Sequence, residues 1–274
     1  MSNRRESNLF ASDRLTILIV VSLLSCAALA WVATYYLMPL VMMPTTDMMS
    51  GLSGVSAIVS SPTALSVSIF EAIWIIGMAA MMFPAMIPIV IFYNKTATRR
   101  HANPTIAKSV GTPLFLGGYL IVYAVLGLGA FGTVYAAIKL SAQVSMLASL
   151  SAIAPAAILI ATGVYQFTSL KSRCLRNCIS PMGFFAVHYK PGLLGSLRMG
   201  LTHGYFCVGC CWAFMVVMLG VGAMSVSVMV ALAGLIAVEK VLARGALWFN
   251  SVVGVGFILT GVLVLALPNI MTMF

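Results

Sequence analysis

Long apolar segments, joined by short polar connections, constrain this chain more than any other feature of its sequence. Seven such segments lie at residues 15–38, 70–93, 113–138, 148–170, 200–224, 226–238 and 246–267. A helix crosses a bilayer with about 20 apolar residues, so all but 226–238 are long enough to span. That short segment is expected to be a tilted helix, a half-helix, or a helix that continues through Glu239 and Lys240. Charged residues make up only 7% of the chain, too few to coat a globule in water.

The basic residues alternate from one connection to the next. Fourteen of the fifteen lie before the first segment or in the second, fourth and sixth connections, and Lys139 is the exception. This pattern predicts a cytoplasmic N-terminus and an outside C-terminus. We therefore predict an all-α fold, a polytopic transmembrane helix bundle of about seven spans. The single membrane domain 1–274 would have a cytoplasmic tail at 1–14, a Met-rich outside loop at 39–69 and a basic cytoplasmic loop at 171–199.

The scarcity of acidic residues excludes several functions. The chain has only five, which leaves little scope for paired-carboxylate hydrolysis or for a calcium cage. The net charge of +10 is better explained by membrane topology than by nucleic-acid binding, so we expect no nucleic-acid partner.

Five of the six cysteines fall between residues 174 and 211. Cys207, Cys210 and Cys211 form a C-x2-C-C motif in the fifth segment, and His203 precedes it by one helical turn. At about 100° per residue, these four side chains occupy one face of a helix. Thiols select copper(I), and thiolate with imidazole also suits zinc. The alternative is that these small side chains only allow close helix packing.

A second cysteine pair lies at the cytoplasmic end of the fourth segment. Cys174 and Cys178 form a C-x3-C motif, and we expect them to build a separate inner exit site for metal. The neighbouring basic residues Lys171, Arg173 and Arg176 should favour the thiolate forms. The reducing cytoplasm favours metal binding over a disulfide.

Methionines supply a third set of soft donors. Met78, Met82 and Met86 share one face of the second segment, with Glu71 nearby on the same face. Methionine is also ordinary core filler, but 19 in 274 residues is a high content. The first outside connection carries four further candidates for metal capture, which are Met42, Met43, Met48 and Met49. Glu71 and Glu239 are candidate charge-compensating groups.

Three motifs carry a resemblance to a known family. They are Trp74-x3-Met78-x2-Met81-Met82-x-Pro84-x-Met86-x-Pro88, Tyr165-Gln166-x3-Leu170-Lys171-x2-Cys174-Leu175-x2-Cys178-x2-Pro181, and Gly200-x2-His203-Gly204-x2-Cys207-x-Gly209-Cys210-Cys211-Trp212-x2-Met215. On these motifs, over roughly residues 70 to 240, the chain resembles bacterial integral membrane proteins described as predicted metal-binding membrane proteins, a family of otherwise unknown function. The resemblance implies a metal and the bacterial plasma (inner) membrane, but it implies no substrate.

We therefore predict an integral membrane protein that binds a soft transition metal and acts in its transport or delivery. Copper(I) is the expected metal and zinc the alternative, with a metal-donor or metal-acceptor protein as partner and no catalytic residues. The predicted metal ligands are His203, Cys207, Cys210, Cys211, Cys174, Cys178, Met78, Met82 and Met86. Two other functions are compatible with the sequence: a membrane thiol-disulfide oxidoreductase, and a structural or accessory subunit of a larger membrane complex.

Overall fold

The computed structural model describes residues 3–41, 59, 62–100, 107–143, 153–220, 225–243 and 245–266. These residues are almost entirely helical, which confirms the all-α prediction for this part of the chain. The α-helices are α1 (Asn3–Val41), α2 (Ala64–Arg100), α3 (Thr112–Gln143), α4 (Ala154–Gln166), α5 (Ser169–Ile179), α6 (Pro181–His188), α7 (Leu193–Gly220), α8 (Val226–Ala237) and α9 (Leu247–Ala266). Two π-helical turns, Ala107–Gly111 and Val238–Leu242, adjoin α3 and α8.

Five of the described helices are long and apolar enough to cross a membrane. These stretches are Thr16–Leu37, Ala64–Thr96, Ser109–Leu140, Leu193–Gly220 and Leu247–Ala266. The predicted number of seven spans stays a prediction. The predicted basic loop 171–199 consists largely of the short helices α5 and α6 and the start of α7.

The fourth apolar segment differs from its prediction, because it is not one helix through residue 170. Helix α4 ends at Gln166 after 13 residues. Thr168 then has an extended backbone, and its side chain accepts a hydrogen bond from the backbone N–H of Lys171, which starts α5 as a separate helix. A threonine that caps a new helix favours a chain break here. The break allows α5 to change direction and pack beside α7.

Glycines allow α3 and α7 to approach each other closely. A Cβ atom at Gly200 would lie 2.0 Å from the backbone oxygen of Phe115, and one at Gly118 would lie 2.4 Å from that of Leu197. Further along, Tyr119 of α3 faces the glycine at 204. The contacts advance together along both helices, so the two helices run in the same direction. Small residues at crossings of this kind are typical of helix packing in membranes.

Helices α2 and α9 complete the bundle through different contacts. Helix α2 packs against α3, where Trp74 Nε1 donates a hydrogen bond to the backbone oxygen of Tyr123 at 3.0 Å. Helix α9 packs against α4, where Gly254 lies opposite Gly163. The buried core between α2, α3, α5 and α7 contains the cysteines and methionines that the sequence singled out.

Candidate metal centre

Helix α7 buries the face that carries the C-x2-C-C motif. His203, Cys207, Cys210 and Cys211 are each 1% exposed, whereas Tyr205 on the opposite side is 69% exposed. The prediction that these four side chains share one face is therefore confirmed. The buried glycines of α7 belong to the same side, so the face that carries the sulfur atoms is also the face that allows close packing.

Three thiols from two helices form the thiol triad, which consists of Cys178, Cys207 and Cys210. Their Sγ atoms all lie within 4.8 Å of one another. Cys207 and Cys210 are buried on α7, and Cys178 on α5 is half-buried. The sequence suggested that Cys178 belongs to a separate inner site. The structure instead brings it to the α7 cysteines, because the break at Thr168 lets α5 pack beside α7.

The two remaining cysteines of the cluster lie outside the triad. Cys211 donates a hydrogen bond from its thiol to the backbone oxygen of Cys207 at 2.9 Å. Cys174 packs against α7 at Gly209, where a Cβ atom would lie 2.6 Å from its Sγ. Their role as ligands stays a prediction.

The charge environment of Cys174 differs from the expectation. Its pKa is raised from the ordinary thiol value, first by burial and then by the neighbouring charge of Cys210. The predicted stabilisation of its thiolate by local cations is wrong for this residue. Lys171 is buried in an ion pair with Glu239, and Arg173 and Arg176 are exposed.

Cys207 is the most heavily hydrogen-bonded sulfur of the triad. Lys240 Nζ donates to its Sγ at 2.9 Å, and the hydroxyl of Tyr123 donates at 3.2 Å. The Tyr119 hydroxyl also lies 3.2 Å from the same sulfur. Hydrogen bonds that involve a charged group are shorter and stronger than neutral ones, so this environment suits a sulfur atom with negative charge.

Sequence reasoning missed Lys240, Tyr119 and Tyr123. A lysine at the end of an apolar segment is a signal in itself, because an ionisable residue within such a segment is costly unless it has a partner. The tyrosines are four residues apart and therefore lie on one helical face, but nothing in their spacing points to a thiol on another helix.

Glu239 has a different partner from the one we expected. It pairs with Lys171 of α5 at 2.5 Å, and both side chains are buried. Lys171 also donates a hydrogen bond to Gln166 Oε1. Glu239 therefore compensates a lysine and not the metal centre, whereas Lys240 is the residue that contacts the thiols.

His203 lies in an aromatic pocket one turn before Cys207. Its ring centroid is 5.2 Å from that of Phe184, 6.0 Å from that of Tyr119 and 6.1 Å from that of Phe115. Its Nδ1 atom is buried without a hydrogen-bond partner among the described residues. The structure does not bring His203 into the thiol triad, and its role as a ligand stays a prediction.

The methionine stripe of α2 is fully buried. Met78, Met82 and Met86 are 1%, 0% and 2% exposed, which confirms that they share an inward face. Their role as thioether ligands stays a prediction. Glu71 at the start of this stripe packs its carboxylate against Gly127, and neither oxygen has a partner among the residues described.

Four predicted capture residues lie outside the described residues. These are Met42, Met43, Met48 and Met49. The proposed capture role of the Met-rich loop therefore stays a prediction.

A helical bundle that buries three thiols within 4.8 Å of one another is a protein whose core has a site able to hold a soft metal ion. The family model PpoB2, described as "Copper chaperone", matches residues 71–264. This match covers more than half of the chain and includes all three triad cysteines, so the chain belongs to this copper chaperone family. Searches of curated proteins and of solved structures found no match.

Proposed function

We propose that this chain is an integral membrane protein that binds copper(I) at the thiol triad and delivers it to an acceptor protein. One observation carries the proposal: Cys178, Cys207 and Cys210 converge within 4.8 Å in the core of a chain that belongs to a copper chaperone family. Sulfur donors prefer copper(I), and a dry site offers no competing water ligands.

The size of the triad fits a bound ion. Metal–thiolate bonds of about 2.3 Å would place three sulfur atoms about 4 Å apart around a trigonal ion. The observed limit of 4.8 Å requires only a small contraction. Two of the sulfur donors lie on the same helix one turn apart, so the movement that closes the site is that of α5 toward α7. Cys178 on α5 is the least buried of the three, which favours it as the donor that passes copper onward.

The membrane location rests on the outward-facing side chains. The five long helices expose large apolar residues, such as Leu29 at 69%, Trp248 at 66% and Leu259 at 62%. An exposed apolar surface of this extent marks contact with lipid or with another protein. The alternation of basic connections supports a cytoplasmic N-terminus in a bacterial plasma membrane. Helices α3 and α7 run in the same direction, as this topology requires of the third and fifth spans.

The experiment measures copper(I) binding to the full chain, purified in detergent without oxygen, by competition with a chromophoric chelator. We expect one copper(I) ion per chain in the parent. The triple variant Cys178→Ser, Cys207→Ser and Cys210→Ser should bind at least about 10-fold more weakly, since even the loss of a group that only supports a ligand costs 10–100-fold in affinity.

Cys26→Ser is the matched control, because Cys26 lies on α1 away from the triad and is exposed. Gel filtration checks that each variant keeps its fold. A folded triple variant that binds copper as the parent does would show that the cluster serves packing alone. A metal-free parent with a reducible disulfide would instead support the thiol-disulfide oxidoreductase.

A further inference from the structure

The π-helical turn Val238–Leu242 places two charged residues side by side in the core. Glu239 is 1% exposed and Lys240 is 7% exposed. Each contacts a different helix that bears cysteines: Glu239 pairs with Lys171 of α5, and Lys240 contacts Cys207 of α7. π-helical turns occur frequently at functional sites. This turn therefore links both helices that contribute sulfur atoms to the triad.

The two lysines have different electrostatic roles. The charge of Lys171 is compensated by Glu239 at 2.5 Å, and its ammonium group also lies 4.8 Å from the centroid of the Phe214 ring. Lys240 contacts Cys207 Sγ at 2.9 Å. Within the described part of the chain, it is the lysine that donates to a sulfur of the triad. A cation is thus fixed in direct contact with the proposed copper ligands.

We propose that Lys240 makes the thiol triad selective for a monovalent over a divalent metal ion. The inference rests on the proposed function. The Lys240 ammonium lies within a few ångströms of any ion that Cys207 Sγ would hold. Its charge stabilises the same thiolates whichever ion binds. It repels a divalent ion twice as strongly as a monovalent one, because the Coulomb energy is proportional to the charge.

Such a residue solves a problem that the sulfur ligands leave open. Buried cysteine thiolates also bind zinc strongly, so donor type alone does not separate zinc from copper(I). Specificity is a difference of two affinities, and a repulsive group that acts more strongly on the competitor increases that difference. The low dielectric constant of the core strengthens the repulsion.

The test compares two dissociation constants, for copper(I) alone and zinc alone, in the full chain at one pH. In Lys240→Met the ratio should shift toward zinc by about 10-fold or more, given the Coulomb energy of charges a few ångströms apart. Lys240→Arg keeps the charge and should keep the parent ratio. Lys139→Met is the matched control, because Lys139 is exposed on α3, beside the Tyr135 ring.

Three outcomes would overturn the inference. They are an unchanged ratio in Lys240→Met, an equal weakening of both ions in that variant, and a shift toward zinc in Lys240→Arg. Lys240→Gln replaces Lys240→Met if the latter does not fold. A parent that binds no copper(I) would defeat the proposed function instead, so the two failures are distinguishable.

Discussion

Helices α7 and α9 are both long and apolar enough to span a membrane, yet they have opposite positions in the bundle. In α7, 56% of the most apolar window is buried, against 17% in α9. Helix α9 is the more hydrophobic of the two, and it exposes leucine and valine along most of its length. Helix α7 contains glycines, cysteines and a histidine, and it lies at the centre.

The difference shows what selects a central helix when the surrounding solvent is lipid. Lipid tails are as apolar as leucine, so burial of apolar surface no longer drives helices together. Close van der Waals packing and internal polar contacts take over, and these require small and polar side chains. Helix α7 has both, with Gly200 against α3 and Cys207 in contact with Lys240. The same face that brings the helices together therefore also builds the metal centre.

The largest expected effect comes from a methyl group added at the α3–α7 contact. Gly200→Ala would place its Cβ 2.0 Å from the backbone oxygen of Phe115, so the two helices must separate. We expect a loss of about 3 kcal/mol or more in the free energy of unfolding, measured by denaturation in mixed micelles. Gly256→Ala on α9 is the control, because a Cβ there has no atom within 4 Å. Equal losses in both variants would remove the distinction between α7 and α9.

A smaller effect is expected from removal of a buried thioether. Met218 on α7 is 0% exposed, whereas Leu259 on α9 is 62% exposed. Met218→Ala should cost about 2 kcal/mol, at the low end for such cavities, because side chains transfer between core and lipid with little change in free energy. Leu259→Ala should change the free energy of unfolding by less than about 0.5 kcal/mol. A larger loss for Leu259→Ala would mean that α9 has a protein partner.

The smallest effect concerns Cys174, which α7 covers at Gly209. Burial raises the pKa of this thiol, so its alkylation in metal-free protein should be slow at neutral pH and should accelerate only above the ordinary thiol pKa of about 8.5. The folded chain holds this proton to a higher pH than the unfolded chain does. The free energy of unfolding should therefore decrease as the pH rises above that value.

Mass spectrometry of the alkylated peptide measures the rate at Cys174. An Arg173→Cys variant supplies an exposed thiol one residue away for comparison, since Arg173 faces outward. Equal pH profiles at the two positions would show that α7 does not bury Cys174.

The α7 motif shows how far a sequence pattern reaches. Helical periodicity predicts correctly that His203, Cys207 and Cys210 share a face, because residues three and four apart on one helix have a fixed geometry. The fourth segment shows the limit of hydropathy. Its apolar run hides the break at Thr168, since a capping threonine in such a run changes hydrophobicity very little.

The sequence by itself determined the all-α fold, the apolar helices, the positions of the soft donors and the family. Each of these depends on composition or on spacing within one segment. Only the tertiary structure decided that Cys178 joins Cys207 and Cys210, that Glu239 belongs to Lys171, and that Lys240 contacts the thiols. The physical reason is that these contacts join residues about 30 or more positions apart on separate helices, mostly across the chain break between α5 and α7 or the turn after α8. Their distances depend on helix packing, which no local period encodes.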